Sequence, residues 1–548
     1  MAGQEGAEVI SVEGWFPRHI KFSASSVLLW IVGALVAASL LLPTFYLLVR
    51  AMEAGESAWR ALLRPNMLYT LLRTVWLAFS VTLLSMFIAV PLAWLTVRSD
   101  LPGRRFWATV APLPLVLPSY VGAYLLISAL GPRGLLQQGL GALLGVERLP
   151  SLYGFPGALI TLTLLSYPYL FLSVRSALLR IDPALEEASR SLGRNGWQSF
   201  GWVVLPLLRP ALGSGGLLVA LYTLRDFGAV ALMRYDTFAR VLYIQYQSFD
   251  RAQAAIPGLL LIAVTLLFVA FEGSLQRRAR YTQGERGSLR PPAIVQLGRW
   301  RWPALIFCGL VVFFSLLLPT AMLIYWLVRG LLAGESMPTL AAATWNALFV
   351  SLLAALTTVL IALPVSWLVV RQPGRLSHLL ERLTYSAYAL PGIVIALALV
   401  FLGANHLPWL YQSIPLLIFG YMILFIPQAV STIRSSLLQI HLSLEEAAHS
   451  LGKGSWRVFA TITLPLLQPG LLAGAAMVFL TTMKELPATL LLAPTGFKTL
   501  AMAVWSSVSE AYFAAAAAPA LLIVLMSSLP MTFLILREQN HDTDRRSM

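Results

Sequence analysis

Four ionisable residues interrupt apolar sequence. Arg225-Asp226 and Lys484-Glu485 stand 259 residues apart, each pair inside a run of hydrophobic residues. A charge at the centre of a bilayer costs roughly 3 kcal/mol on insertion scales, so such groups face a cavity, pair with one another, or mark the path of a polar solute. Neighbours at i and i+1 point to different sides of a helix. One member of each pair can therefore line a pathway while the other binds a neighbour or snorkels; a structural ion pair is the competing reading. Oxygen donors cluster in the same stretch: Asp226, Tyr235, Asp236 and Tyr243, with Glu485 in the second half. Asp226, Tyr235 and Glu485 are candidates for holding a hard cation. No spacing rule makes them a metal site, and they serve equally well as loop residues that receive a partner. His406 is expected in a solvated loop. The single cysteine, Cys308, excludes an intrachain disulfide, a cysteine metal site or an Fe–S cluster.

A second pattern carries more information. Residues 186–212 read EEASRSLGRNGWQSFGWVVLPLLRPAL and residues 445–471 read EEAAHSLGKGSWRVFATITLPLLQPGL, identical at 14 of 27 positions without a gap. Glu186, Glu187, Ala188 and Gly193 correspond to Glu445, Glu446, Ala447 and Gly452. In the second copy Ser443 and Glu446 have the spacing of a capping box, with Gly452 as the helix stop. In the first, Asp182 is the expected cap, Pro183 takes the first helical position and Gly193 is the stop. A short second helix carrying Trp197 and Phe200, or Trp456 and Phe459, is expected to end at Leu-Pro-Leu-Leu. The element is polar in an apolar chain and occurs twice, so it is expected to meet a partner in water.

The elements that position these residues follow from composition. The chain has 548 residues, 58% hydrophobic and 11% charged, with mean hydropathy +0.76. Globular domains carry about 25% charged residues, so the expected solvent is a lipid bilayer. Apolar stretches of about 20 residues cross it. They lie near 26–49, 68–97, 106–130, 156–179, 211–233, 254–273, 303–328, 342–370, 383–404, 413–438, 470–493 and 512–536: an all-α polytopic protein of about twelve spans. The net charge of +15 gathers in loops on one side, as the positive-inside rule requires. No basic segment is interleaved with exposed aromatics, which argues against nucleic acid. The polar first 25 residues and the long apolar run after them predict a first span with its N-terminus inside, not a cleaved signal.

Further matches set the organisation. Residues 91–95 (PLAWL) pair with 364–368 (PVSWL), and Leu117-Pro118 with Leu390-Pro391, at an offset of 273. The chain divides into a first half, 1–275, with its loop at 182–212, and a second half, 302–548, with its loop at 443–471. Residues 276–301 hold seven arginines and one acid, and are expected to form a basic, flexible linker. Six spans per half give a parallel repeat about the membrane normal.

The Glu-Glu-Ala, Leu-Gly, aromatic, Leu-Pro pattern resembles the "EAA" loop of permease subunits of bacterial ATP-binding-cassette importers. In that family the loop docks on the ATPase subunits. The resemblance implies that Glu186, Glu187, Ala188 and Gly193, with Glu445, Glu446, Ala447 and Gly452, contact two copies of a separate ATPase. It also implies a periplasmic substrate-binding protein and a bacterial inner-membrane location; the basic loops fall on one side if both termini are cytoplasmic. No phosphate-binding G-x-x-x-x-G-K-[ST] loop occurs here. No cofactor is expected on this chain and it is not expected to be an enzyme; ATP belongs to the partner. Residues 225–255 and 484–506 resemble the fused, two-half permeases of ferric-iron importers, which implies iron(III) as cargo. Thiamine, polyamine or another small solute on the same architecture is the near alternative. An ion-coupled secondary transporter is the more distant one.

Overall fold

The computed structural model describes residues 24–53, 65–132, 134–138, 150–247, 251–279, 294–335 and 339–547. Residues 280–293 of the expected linker, and residues 139–149, lie outside the described residues. Among the described residues, nine helices are long and apolar enough to cross a membrane, and a further pair bent by 99° makes up to ten. Shorter apolar helices occupy Ala255–Ala270, Gly392–His406 and Leu500–Ser509. The protein is an all-α polytopic membrane protein.

The second span, Pro65–Arg98, and the eighth, Leu340–Arg371, show how the sequence chooses its faces. The second exposes Leu72, Trp76, Phe79, Leu83 and Phe87; the eighth exposes Trp345, Phe349, Leu352, Leu356 and Leu360. Every residue of one stripe is 273 positions from its counterpart. The buried faces correspond in the same way: Thr74, Leu77, Ser85 and Ala89 against Ala347, Val350, Thr358 and Ala362. Three- and four-residue steps put each set on one side of a helix. Bulky side chains face out and small ones face in, which suits a lipid-facing span packed against neighbouring helices.

Two expected spans are broken. The stretch at 106–130 comprises Arg104–Val110, a 3₁₀ turn at Leu113–Val116 and Ser119–Leu130. The stretch at 383–404 comprises Arg375–Ser386, a 3₁₀ turn at Ala387–Ala389 and Gly392–His406. Both break at Leu-Pro. A residue before proline is pushed out of the helical region; Leu117 and Leu390 are extended, with ψ of 125° and 116°.

The fifth and eleventh spans begin inside the duplicated signature. Gly196–Ser199 runs through a π turn at Phe200–Val204 into Leu205–Arg225. Ser455–Val458 runs through Phe459–Thr463 into Leu464–Met483. Leu-Pro-Leu-Leu therefore continues the helix instead of ending it, and the spans lie N-terminal to the expected 211–233 and 470–493. Proline lacks the N–H that bonds back one turn, and its ring crowds that turn's carbonyl. A wider turn just before the ring relieves both problems. The same device precedes Pro319 in the seventh span, at Phe313–Leu317.

The leading span of each half packs against the other half. Trp30 of the first span, Ala24–Glu53, donates its indole N–H to Gln372 Oε1 at 3.1 Å, and a Cβ on Gly33 would press Leu368 and Leu380. The seventh span, from Arg301, buries Ala304, Cys308 and Val311 among first-half residues such as Leu92, Ala93 and Leu178.

Candidate functional site

The first loop helix is Pro183–Ser191. Asp182 Oδ1 accepts from the Ala184 N–H at 2.9 Å, as a cap should, and Pro183 opens the helix. The second loop helix, Leu442–Ser450, starts two residues earlier than a cap at Ser443 would give. Its cap position is His441, which makes no side-chain cap bond; Ser443 lies inside the helix and forms no capping box. Both helices stop at a left-handed glycine, Gly193 at φ +83° and Gly452 at φ +76°.

The two glutamates of each signature have separated roles. Glu187 and Glu446 are exposed, as are Ala188, Ala447, Gly193 and Gly452. Glu186 and Glu445 turn inward. Arg98, at the end of the second span, pairs with Glu186 at 3.0 Å, and Arg371, at the end of the eighth, with Glu445 at 2.8 Å. Arg98 also donates to the carbonyls of Leu178 and Ile181, and Arg371 to that of Ile440. Each arginine thus ties a loop helix to the C-terminal end of the preceding span, where a cation also suits the helix dipole. Arg98 and Arg371 are 273 residues apart, the offset of PLAWL and PVSWL, so the sequence held the signal for this clamp. Thr463 adds a bond to Glu445 at 3.1 Å; its counterpart is Val204.

The outward faces also match. Leu185 and Leu192 are 49% and 82% exposed, and Leu444 and Leu451 are 48% and 80% exposed, again at an offset of 259. Large apolar side chains ringed by polar ones mark a surface that meets another protein. Leu185 and Leu444 lie just before the aligned window.

At the seam between halves, Arg225 and Lys484 reach across while the two acids stay within their own half. Lys484 Nζ donates to the carbonyl of Leu115, 369 residues away, at 2.7 Å. Arg225 lies within electrostatic reach of Glu485 and of Tyr388, the counterpart of Leu115. Asp226 Oδ1 accepts from Ala229 and Val230 N–H at 2.9 and 3.4 Å and also meets the Ser119 hydroxyl. Glu485 Oε1 accepts from Ala488 N–H at 3.3 Å. Tyr235 belongs to a different group: its hydroxyl donates to the Arg73 carbonyl at 3.3 Å, beside the ion pairs of Asp236 with Arg73 and Arg240. Among the described residues, no three His, Cys, Asp or Glu side chains converge as a metal site.

The family model for the inner membrane component of binding-protein-dependent transport systems matches residues 85–281 and 362–536, once in each half. The chain belongs to this family. A Fe(3+)-transport system permease protein, FbpB 2 of Haemophilus influenzae, is 35% identical over 506 residues, covering 91% of this chain and 96% of that protein. The ferric transport system permease protein FbpB of Actinobacillus pleuropneumoniae is 28% identical over 445 residues, 77% of this chain and 64% of that one. The sulfate transport system permease protein CysT of Escherichia coli is 29% identical over 254 residues, 44% of this chain and 87% of that protein. The permease is therefore a fused, two-half member of the family and a multi-pass inner-membrane protein. In this permease the two clamped loop helices lie within the family match of their own halves.

Proposed function

We propose that this permease is the membrane subunit of an ATP-driven importer of ferric iron, with a periplasmic binding protein delivering the cargo. The observation that carries the engine is the pair of loop helices with equivalent inner arginine–glutamate clamps and matching outer faces. On this reading Glu187, Ala188, Gly193, Leu185 and Leu192 meet one ATPase copy, and Glu446, Ala447, Gly452, Leu444 and Leu451 meet a second. Glu186 and Glu445 act from inside, by holding those surfaces to the spans. Both termini and both loops are cytoplasmic, where the arginines concentrate. ATP binds the partner and no cofactor binds this chain. Closure of the ATPases draws the loops together and switches the pathway by alternating access.

The cargo rests on likeness to two permeases named for ferric transport, one nearly as long as this chain. Arg225, Asp226, Lys484 and Glu485 are the proposed pathway groups at the inter-half seam. One oxygen of each acid accepts from a backbone N–H, which fixes how its carboxyl is turned. The test is Glu187→Arg combined with Glu446→Arg. ATPase co-purification and uptake of radiolabelled iron are both expected to fall to background. Survival of both sinks the docking assignment. Wild-type chain that carries thiamine or a polyamine in place of iron sinks the cargo.

A further inference from the structure

The end of the linker is ordered against the first half. Val295 N–H donates to the Arg98 carbonyl at 2.8 Å, and Asp100 N–H donates to the Val295 carbonyl at 3.2 Å. Leu297 N–H donates to Asp100 Oδ1 at 2.8 Å, and Arg301 forms an ion pair with Asp100 Oδ2. The Leu297 N–H and the Arg301 guanidinium hold the Asp100 carboxyl below the ordinary carboxylate range. Three hydrogen bonds and an ion pair thus fasten eight residues, 294–301, to three, 98–100. Two neighbours of this contact matter. Arg98 is also the residue whose guanidinium clamps Glu186 of the first loop helix. Arg301 opens the seventh span, whose Ala304, Cys308 and Val311 are buried against the first half.

Among the described residues, the second half shows no matching contact. Where the first half reads Arg98-Ser99-Asp100-Leu101-Pro102-Gly103-Arg104, the second reads Arg371-Gln372-Pro373-Gly374-Arg375, two residues shorter and without an acid. Among the described residues, its clamp meets the other half's leading span through the bond from Trp30 to Gln372 and the packing of Gly33 on Leu368 and Leu380. Among the described residues, the two loop helices sit in equivalent clamps with different attachments behind them.

We infer that residues 294–301 are a strap that fastens the seat of the first loop helix to the seventh span, with Asp100 as its positioning residue, so that displacement of that loop is passed directly into the second half. This rests on the loop helices being the docking points of the ATPase. Among the described residues, the strap fastens the first seat by polar bonds, and the second seat meets the other half mainly by packing. Coupling between distant sites travels through elements that move as one body, and typically changes affinity by roughly 5- to 150-fold.

The experiment uses the full chain, purified with its ATPase and reconstituted in liposomes, with iron-loaded binding protein as the stimulus. Asp100→Ala and Arg301→Ala are each compared with wild type and with the exchange of Asp100→Arg and Arg301→Asp in one chain. Basal hydrolysis and ATPase co-purification should stay at wild-type level in every variant. Stimulated hydrolysis per assembled complex should fall about tenfold in the single variants, the size of a typical coupling term, and recover in part in the exchange. Gln372→Ala, which removes one neutral hydrogen bond at the other seat, should lower it far less. Unchanged stimulation in both single variants overturns the strap. So does a fall in yield or melting temperature with stimulation per folded complex intact, which would make the contact plain packing. A wild-type chain that brings down no ATPase overturns the importer reading itself, and is a separate result.

Discussion

Arg98 is 2% exposed, and its guanidinium meets Glu186 and two backbone carbonyls. Arg371 repeats the arrangement with Glu445 and Ile440. A buried pair gains little over an apolar pair, but removing one partner strands the other charge at about 3–5 kcal/mol. Arg98→Ala should therefore lower the melting temperature in detergent sharply, and Arg98→Ala with Glu186→Ala should recover part of the loss because no lone charge remains. Exposed Glu187→Ala should stay within about 0.5 kcal/mol of wild type. Equal melting of Arg98→Ala and Glu187→Ala would contradict the inward and outward division of the two glutamates.

At the scale of the element, the two loop helices share their stop and differ in their start. Gly193 and Gly452 have positive φ, and a Cβ at either would meet nothing within 4 Å. The cost of alanine there is backbone conformation alone, about 1 kcal/mol in each loop. The start is unequal because Asp182 bonds Ala184 N–H while His441 makes no cap bond. Losing a cap costs about 1 kcal/mol. Hydrogen exchange should quicken across residues 183–191 in Asp182→Ala, and stay unchanged across 442–450 in His441→Ala. A like response at both ends would show that the first cap contributes nothing. The capping box expected at Ser443 was legible only as a spacing, and a spacing does not fix where a helix begins. Leu442 joins the helix first, and Ser443 is carried inside it.

For the whole molecule, the halves are interleaved instead of abutted. The first span lies on the eighth and ninth, the seventh lies on the first half, Trp30 bonds Gln372 and Lys484 bonds Leu115. Chains cut within 280–293 and co-expressed should therefore co-purify as a stable pair through the membrane domain. Halves that separate in mild detergent would mean that the covalent link, not packing, holds them together.

The sequence by itself determined the solvent, the repeat and the loop positions. These depend on local composition and on residues matched at fixed offsets, and both survive without coordinates. It also marked Arg225, Asp226, Lys484 and Glu485, because charge in an apolar run is visible in one dimension. Tertiary structure decided which partner answers each charge. Arg98 and Glu186 are 88 positions apart, and Lys484 and Leu115 are 369 apart, so no period or local spacing relates them. It also decided how prolines act: Leu117-Pro118 breaks a span, while Pro206 and Pro465 follow a π turn inside a continuous helix. A proline removes the same hydrogen bond in each case, and packing sets whether the helix bends, widens or stops.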